Sequence, residues 1–423
     1  MILRGVSFFP VLFFLLAAVI LLPAPLAFSV SPADLNAEAV QHLADGVPQK
    51  ALPKLIEATR ALPYEPVIRR NLAECYLQLG LEMLGTRNYE RAVEFFRQGK
   101  EHAAEDPRFW VYSGVAQMKA GDAGGAEAEF NEALALSDND PHILFLLGEL
   151  YYSTGELYRA RQVLEEASAR RPEDARIADL LQRVNRELPV EERMASTQGG
   201  NFSVACDGDL NENLGDEILD VLEDAYNELG SAFGYYPSVQ VPVLVYSREV
   251  YDRLTSAPAW SGGVYDGKIR IPVGGITHLP PHLKALLYHE YSHVLVHFMA
   301  RGRIPLWLNE GLAEVAGRRF FTPPVAEMPQ PFIEWSRLEQ TFEGLDEDLI
   351  RSAYYQSYLM VAYLIDRYGR HTLNDLVVEA ARTGDIDLAV KGVYGQFQVD
   401  YQVLQAEWHA QAVDLHGLLQ IIP

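Results

Sequence analysis

Two histidines four residues apart, with a glutamate beside the first, are the residues whose types and spacing can do chemistry in this chain. They stand in His289-Glu290-Tyr291-Ser292-His293, inside a stretch from Leu283 to Phe298 that is helical by pattern. Positions i and i+4 project from one face of a helix, so both imidazoles can reach a single tetrahedral metal. Glu290, one residue on, can contact water held at that metal and act as a general base instead of a ligand. Leu286, Leu287, Val294 and Leu295 supply the apolar flank that buries such a helix beside its site. A catalytic zinc needs a third protein ligand and one open position. His297, another four residues along, cannot supply it, because His289 and His297 are about 12 Å apart along a helix axis. It reads as a surface or pocket-wall histidine. His278 and His282 precede that helix and are not expected to be ligands.

Twelve residues beyond His293, the run Pro305-Leu306-Trp307-Leu308-Asn309-Glu310-Gly311-Leu312-Ala313-Glu314 begins another helix, with Glu310 seventeen residues beyond His293. Together the two segments resemble the gluzincin metallopeptidases of the thermolysin and aminopeptidase type, and the layout resembles bacterial peptidase-MA-like domains found behind repeat arrays. The resemblance implies an α+β zincin-like domain holding one zinc ion per chain, with Glu310 as the third ligand. It also implies that Glu314, one helical turn later, holds a ligand histidine by its other ring nitrogen. A second stretch, Tyr354-Tyr355-Gln356-Ser357, resembles the aminopeptidase segment in which a tyrosine stands three residues before a small residue and stabilises the oxyanion. That assigns Tyr354, with Ser357 in the small position and Tyr363-Leu364 as the aromatic-Leu pair that follows. Ser357 replaces the usual glycine and Tyr355 stands next door, so both tyrosines are candidates. The acidic amine-binding motif of aminopeptidases does not precede the zinc helix, which favours an endopeptidase.

These residues need a scaffold. Asn201 to Cys206 and Val239 to Tyr246 read as strands, and Leu214 to Phe233 as an amphipathic helix. Gly263 to Pro272 alternates apolar and polar residues around Asp266-Gly267, a hairpin signal. The expectation is a mixed sheet in residues 201–423 with one exposed edge running from Val264 to Ile271. A peptide substrate would lie extended along that edge, beginning at Gly263, Val264 and Tyr265. Residues 191–200 are polar with paired glycines and are expected to be a linker.

Upstream, the chain repeats itself. Trp110, Gly114, Gly121, Ala126, Phe130 and Ala133 each stand 34 residues before Leu144, Gly148, Gly155, Ala160, Leu164 and Ala167. Tyr76, Gly80, Ala92, Phe96 and Gly99 precede their partners by the same interval. A 34-residue period with small residues where two helices touch resembles the tetratricopeptide repeat. The pattern gives about four repeats over residues 30–190, with a closing helix around Pro172 to Glu187 and about two extra helical turns near Gly80 to Asn88. The fold class expected is therefore multidomain: an all-α tetratricopeptide-repeat solenoid followed by the α+β metallopeptidase domain. Such a solenoid offers a groove for a protein partner.

Composition narrows the rest. A formal charge of −23 argues against nucleic acid as a partner, and two cysteines are too few for a disulfide framework. Arg4, the apolar run from Val6 to Phe28 and the exit Ala27-Phe28-Ser29 describe a secretory signal over residues 1–29. Export to the periplasm or another extracytoplasmic space is expected, with membrane association only if residues 6–28 stay as an anchor. The functional expectation is a zinc-dependent peptidase of extracytoplasmic protein or peptide, its repeats recruiting substrate or partner. The alternative is a non-catalytic periplasmic repeat adaptor with a structural or inactive metal domain.

Overall fold

The computed structural model describes residues 31–207, 213–255, 263–265, 267–273, 276, 278–300, 304–322, 333–342 and 345–419. The expected signal segment 1–29 and Asp266 of the expected hairpin turn lie outside the described residues.

The repeat region is a series of helix pairs: α1 (Pro32–Ala44) with α2 (Pro48–Ala61), α3 (Pro66–Gly85) with α4 (Tyr89–Lys100), α5 (Pro107–Ala120) with α6 (Ala123–Leu136), and α7 (Pro141–Ser153) with α8 (Leu157–Arg170). A ninth helix, α9 (Ala175–Glu191), follows. The 34-residue phase is written into the helix starts. Asp106 and Asp140 cap α5 and α7 by accepting from the backbone N–H of Arg108 and His142, with Pro107 and Pro141 in the first turn where a missing N–H costs nothing. The repeated glycines are contact points: a Cβ on Gly114 would come within 2.6 Å of the Phe130 ring. Helix α3 has 20 residues against 14 in α5 and 13 in α7, which is where the extra turns went.

The chain forms two compact units, one ending at Leu72 and one from Ala73 onward. The first contains α1, α2 and the start of α3 around Leu35, Ala58 and Ile68. In the second, the expected break at 191–200 is absent. Helix α9 continues to Glu191 because Leu188 and Val190 are buried, and Ala195–Gln198 then forms a strand, β1. An edge strand needs only main-chain hydrogen bonds on one side, so a polar sequence can fill it.

After β1 come β2 (Phe202–Cys206), α10 (Leu214–Phe233), β3 (Val241–Tyr246), α11 (Arg248–Leu254), β4 (Val264–Tyr265) and β5 (Ile269–Pro272). The sheet runs β1-β2-β3-β5-β4, with β2, β3 and β5 parallel and the two outer strands antiparallel to their neighbours. It therefore has two edges, and β5 is interior. Of the expected edge from Val264 to Ile271, only Val264–Tyr265 lies at the edge, since β5 pairs with β3 on its other side.

Period-two alternation sorts the strands. Phe202, Val204, Val243, Ile269 and Ile271 pack with α10 and with the next helix, α12 (Pro281–Ala300). The opposite face carries Arg270 in β5 and Lys268 just before it, and both are buried. Arg270 donates from Nη2 to Glu187 Oε2 at 3.0 Å and to the Tyr152 hydroxyl at 2.9 Å, and from Nη1 to the Tyr246 hydroxyl at 2.9 Å. The Tyr152 hydroxyl in turn donates to Glu187 Oε1 at 2.8 Å. Lys268, pulled down in pKa by burial, lies 3.4 Å from Glu191. Helices α7 and α9 of the repeats are thus joined to the sheet through desolvated charge. Beyond α12 come α13 (Leu306–Arg318), α14 (Trp335–Gln340), α15 (Glu347–Tyr368), α16 (Arg370–Thr383), α17 (Ile386–Tyr394) and α18 (Tyr401–Leu419). They share a core around Trp307, Met360, Leu364 and Trp408.

Candidate metal centre

Helices α12 and α13 carry the site and α15 backs it. Two glycines let them approach. A Cβ on Gly317 would meet the Ala285 carbonyl oxygen of α12 at 2.7 Å, and one on Gly311 would overlap the Ser357 carbonyl oxygen of α15. A backbone carbonyl cannot swing aside as a side chain can. Gly311→Ala is expected to cost about 1–3 kcal/mol as overpacking, read by chemical denaturation, and to weaken metal uptake because Glu310 is its neighbour.

His289 and His293 stand one turn apart with Nε2 atoms 3.2 Å from each other. Glu310 Oε2 lies 3.7 Å from His289 Nε2 and 3.5 Å from His293 Nε2. The outer ring nitrogens face other groups: His293 Nδ1 is 3.2 Å from Asn309 Oδ1, and His289 Nδ1 is 3.5 Å from Glu314 Oε1. That leaves both Nε2 atoms turned inward. Glu310 Oε2 is buried and makes no hydrogen bond. Ligand atoms about 2.0–2.2 Å from a tetrahedral zinc lie roughly 3.3–3.6 Å from one another. At 3.2, 3.5 and 3.7 Å the three donor atoms come close to that spacing and have that chemistry, so the residues fit zinc.

The electrostatics point the same way. Burial, and then His293, drive His289 down to about 3, leaving it in the neutral form that ligates. Burial also opposes charge on His293, but the Glu310 carboxylate outweighs it and lifts His293 to about 9. Glu310 is held below its ordinary value by the two histidines despite its burial. A proton here does what a cation would do for a buried carboxylate.

Glu290 is 4% exposed, and burial pushes its carboxyl up to about 7. Its Oε1 lies 2.7 Å from where a Cβ on Gly263 would be, so the chain entering β4 passes directly over it. Tyr354 sets its ring 6.3 Å from that of His289 and has its hydroxyl pKa raised by burial and then by Glu310 and Glu290. Tyr355 faces elsewhere, stacked on Tyr358 with Arg318 over its ring. Tyr265 packs on His297, which is exposed and stands outside the His289-His293-Glu310 cluster. His278 and His282 are exposed as well. Sequence reasoning assigned nothing to Asn309 or Arg318. The signals available were their spacing: Asn309 precedes Glu310, and Arg318 follows Glu314 by one turn.

The Peptidase MA superfamily profile matches residues 223–414, and tetratricopeptide-repeat profiles match 79–141 and 117–184. Residues 223–414 are a Peptidase MA superfamily domain behind tetratricopeptide repeats. Domains of this superfamily are generally zinc-associated, and the superfamily also includes inactive members. The "Uncharacterized protein YhcO" of Bacillus subtilis (strain 168) is 28% identical over 128 residues, a match covering 28% of this chain and 39% of that protein. Among solved structures, MamA from Desulfovibrio magneticus RS-1 is 20% identical, with 37% of this chain and 85% of that one covered at a TM-score of 0.31. A thermophilic TPR protein from Thermus thermophilus is 26% identical over 38% of this chain and 82% of its own, with a TM-score of 0.26. The peptidase MA domain contains every element of the His289-His293-Glu310 site.

Proposed function

We propose that this chain is an exported zinc-dependent peptidase that hydrolyses peptide bonds of an extracytoplasmic protein or peptide. The observation carrying the reading is the buried, unbonded Glu310 Oε2 facing two inward Nε2 atoms, with a buried Glu290 one residue from the first histidine. His289, His293 and Glu310 hold the metal, and Asn309 and Glu314 orient the two rings. Zinc, when bound, supplies Lewis-acid activation of water and of the scissile carbonyl. Glu290 takes the proton from the attacking water at a carboxylate oxygen and passes it to the leaving amine. Tyr354, beside His289, is the hydroxyl donor placed to stabilise developing charge on the carbonyl oxygen. Substrate extends along β4, the outermost strand next to Glu290, gaining main-chain hydrogen bonds. The repeats recruit the substrate or a protein partner, and the Arg4 to Ser29 segment directs export.

Metal analysis of the purified chain tests the ligand set. One zinc per chain is expected in the wild type. Glu310→Ala should weaken zinc by more than the roughly 10–100-fold typical of losing an outer partner, whereas His297→Ala should leave affinity unchanged. Full zinc retention in Glu310→Ala would sink the assignment.

A further inference from the structure

Glu314 does not hold its position by itself. Arg318, one turn on along α13, grips it by one oxygen: Nε donates to Glu314 Oε2 at 2.8 Å, and Nη2 forms an ion pair with the same oxygen at 2.8 Å. Both side chains are largely buried, at 11% and 17% exposed. The guanidinium is in turn fixed from the other side. Its Cζ lies 4.4 Å from the Tyr358 ring centroid and 5.4 Å from that of Tyr355, and those two rings stack on each other 6.1 Å apart. The remaining carboxylate oxygen, Oε1, is the one that faces His289 Nδ1.

We propose that Arg318 is a positioning residue for the zinc site: seated on the Tyr355–Tyr358 stack, it locks Glu314 so that Oε1 holds the His289 ring with Nε2 aimed at the metal. The inference rests on the proposed zinc site. It also gives adjacent tyrosines of α15 different tasks on one histidine. Tyr354 sets its ring beside His289, while Tyr355 supports it through Arg318 and Glu314. An aromatic seat and a planar guanidinium with two adjacent donors suit arginine, because lysine supplies a point charge without that plane. An unsupported Glu314 would have several rotamers open to it, and the ring it orients would lose its fixed direction.

The test is a double-mutant cycle on the full chain, with zinc affinity measured at fixed pH by competition against a chromogenic chelator. Arg318→Met and Glu314→Gln should each weaken zinc about 10–100-fold. If Arg318 acts through Glu314, the double variant should be no weaker than the weaker single one. Arg318→Lys should recover part of the loss. Wild-type affinity in Arg318→Met, or losses that multiply in the double variant, would overturn the inference. Should Arg318→Met not fold, the same cycle run with Arg318→Lys gives the same two readings. A wild-type chain that takes up no zinc overturns both this inference and the peptidase reading, whereas multiplied losses in a chain that does bind zinc overturn this inference alone.

Discussion

Glu290→Gln is expected to lower peptide hydrolysis about a hundred- to ten-thousand-fold while zinc content and fold are retained. The substitution keeps the size of a side chain wedged against Gly263 and removes only the ability to take a proton. Burial has already raised the Glu290 carboxyl to about 7, close to the pH at which a general base works best. The same burial makes a second expectation of opposite sign. A carboxyl whose pKa is higher folded than unfolded destabilises the folded state as pH rises from the ordinary 4.5 through about 7. In zinc-free protein above pH 7, Glu290→Gln should therefore unfold at the same or a higher temperature than wild type. A peptide library read by mass spectrometry, with zinc analysis and thermal unfolding in parallel, checks all three. If the variant cleaves as well as wild type, or if wild type cleaves nothing, the hydrolase mechanism fails and the inactive-domain alternative moves ahead.

Arg270→Met is expected to destabilise the second compact unit by about 3–5 kcal/mol, because buried Glu187 loses the ion partner that hydrogen-bonds to it. Glu187→Leu should cost a similar amount by stranding Arg270. Both ions are below 5% exposed, and the tyrosine hydroxyls of Tyr152 and Tyr246 complete the cluster, so water cannot replace the missing partner. The double variant should lose much less than either single one, since an apolar pair removes both desolvation penalties together. Chemical denaturation followed by circular dichroism reads these differences. Losses that simply add would mean that the two side chains act independently, contrary to the geometry. Because β5 lies next to β4, a loosened Arg270 should also impair cleavage of peptides that bind along that edge.

Local periodicity made much of this protein legible. The spacing of His289 and His293 fixes both imidazoles on one helical face wherever that helix is placed, and the 34-residue recurrence of Asp-Pro starts and small residues fixes the hairpins. Those are relations between residues a few turns apart, and helix geometry alone sets them. The resemblance to gluzincins added Glu310 and Glu314, and the structure places both beside the histidines.

What the sequence could not give was the partner of each exposed-looking face. The alternation Lys268-Ile269-Arg270-Ile271 is correct for a strand, but its polar side reads as solvated until α7 and α9 are seen to bury it. The polar run after Glu191 reads as a linker until Ala195–Gln198 pairs with β2, because edge pairing is decided by the main chain and leaves little trace in side chains. Tyr354 and Tyr355 point about 100° apart around α15, so only one can face His289, and which one depends on how α15 is turned against α13. Gly311, by admitting the Ser357 carbonyl, sets that turn. By itself, then, the sequence determined which helices and repeats form and which side chains share a helical face. The tertiary structure decided which faces meet, because burial of Arg270, the rotation of α15 and the seat of Arg318 arise from contacts between segments far apart in the chain, where no local period operates.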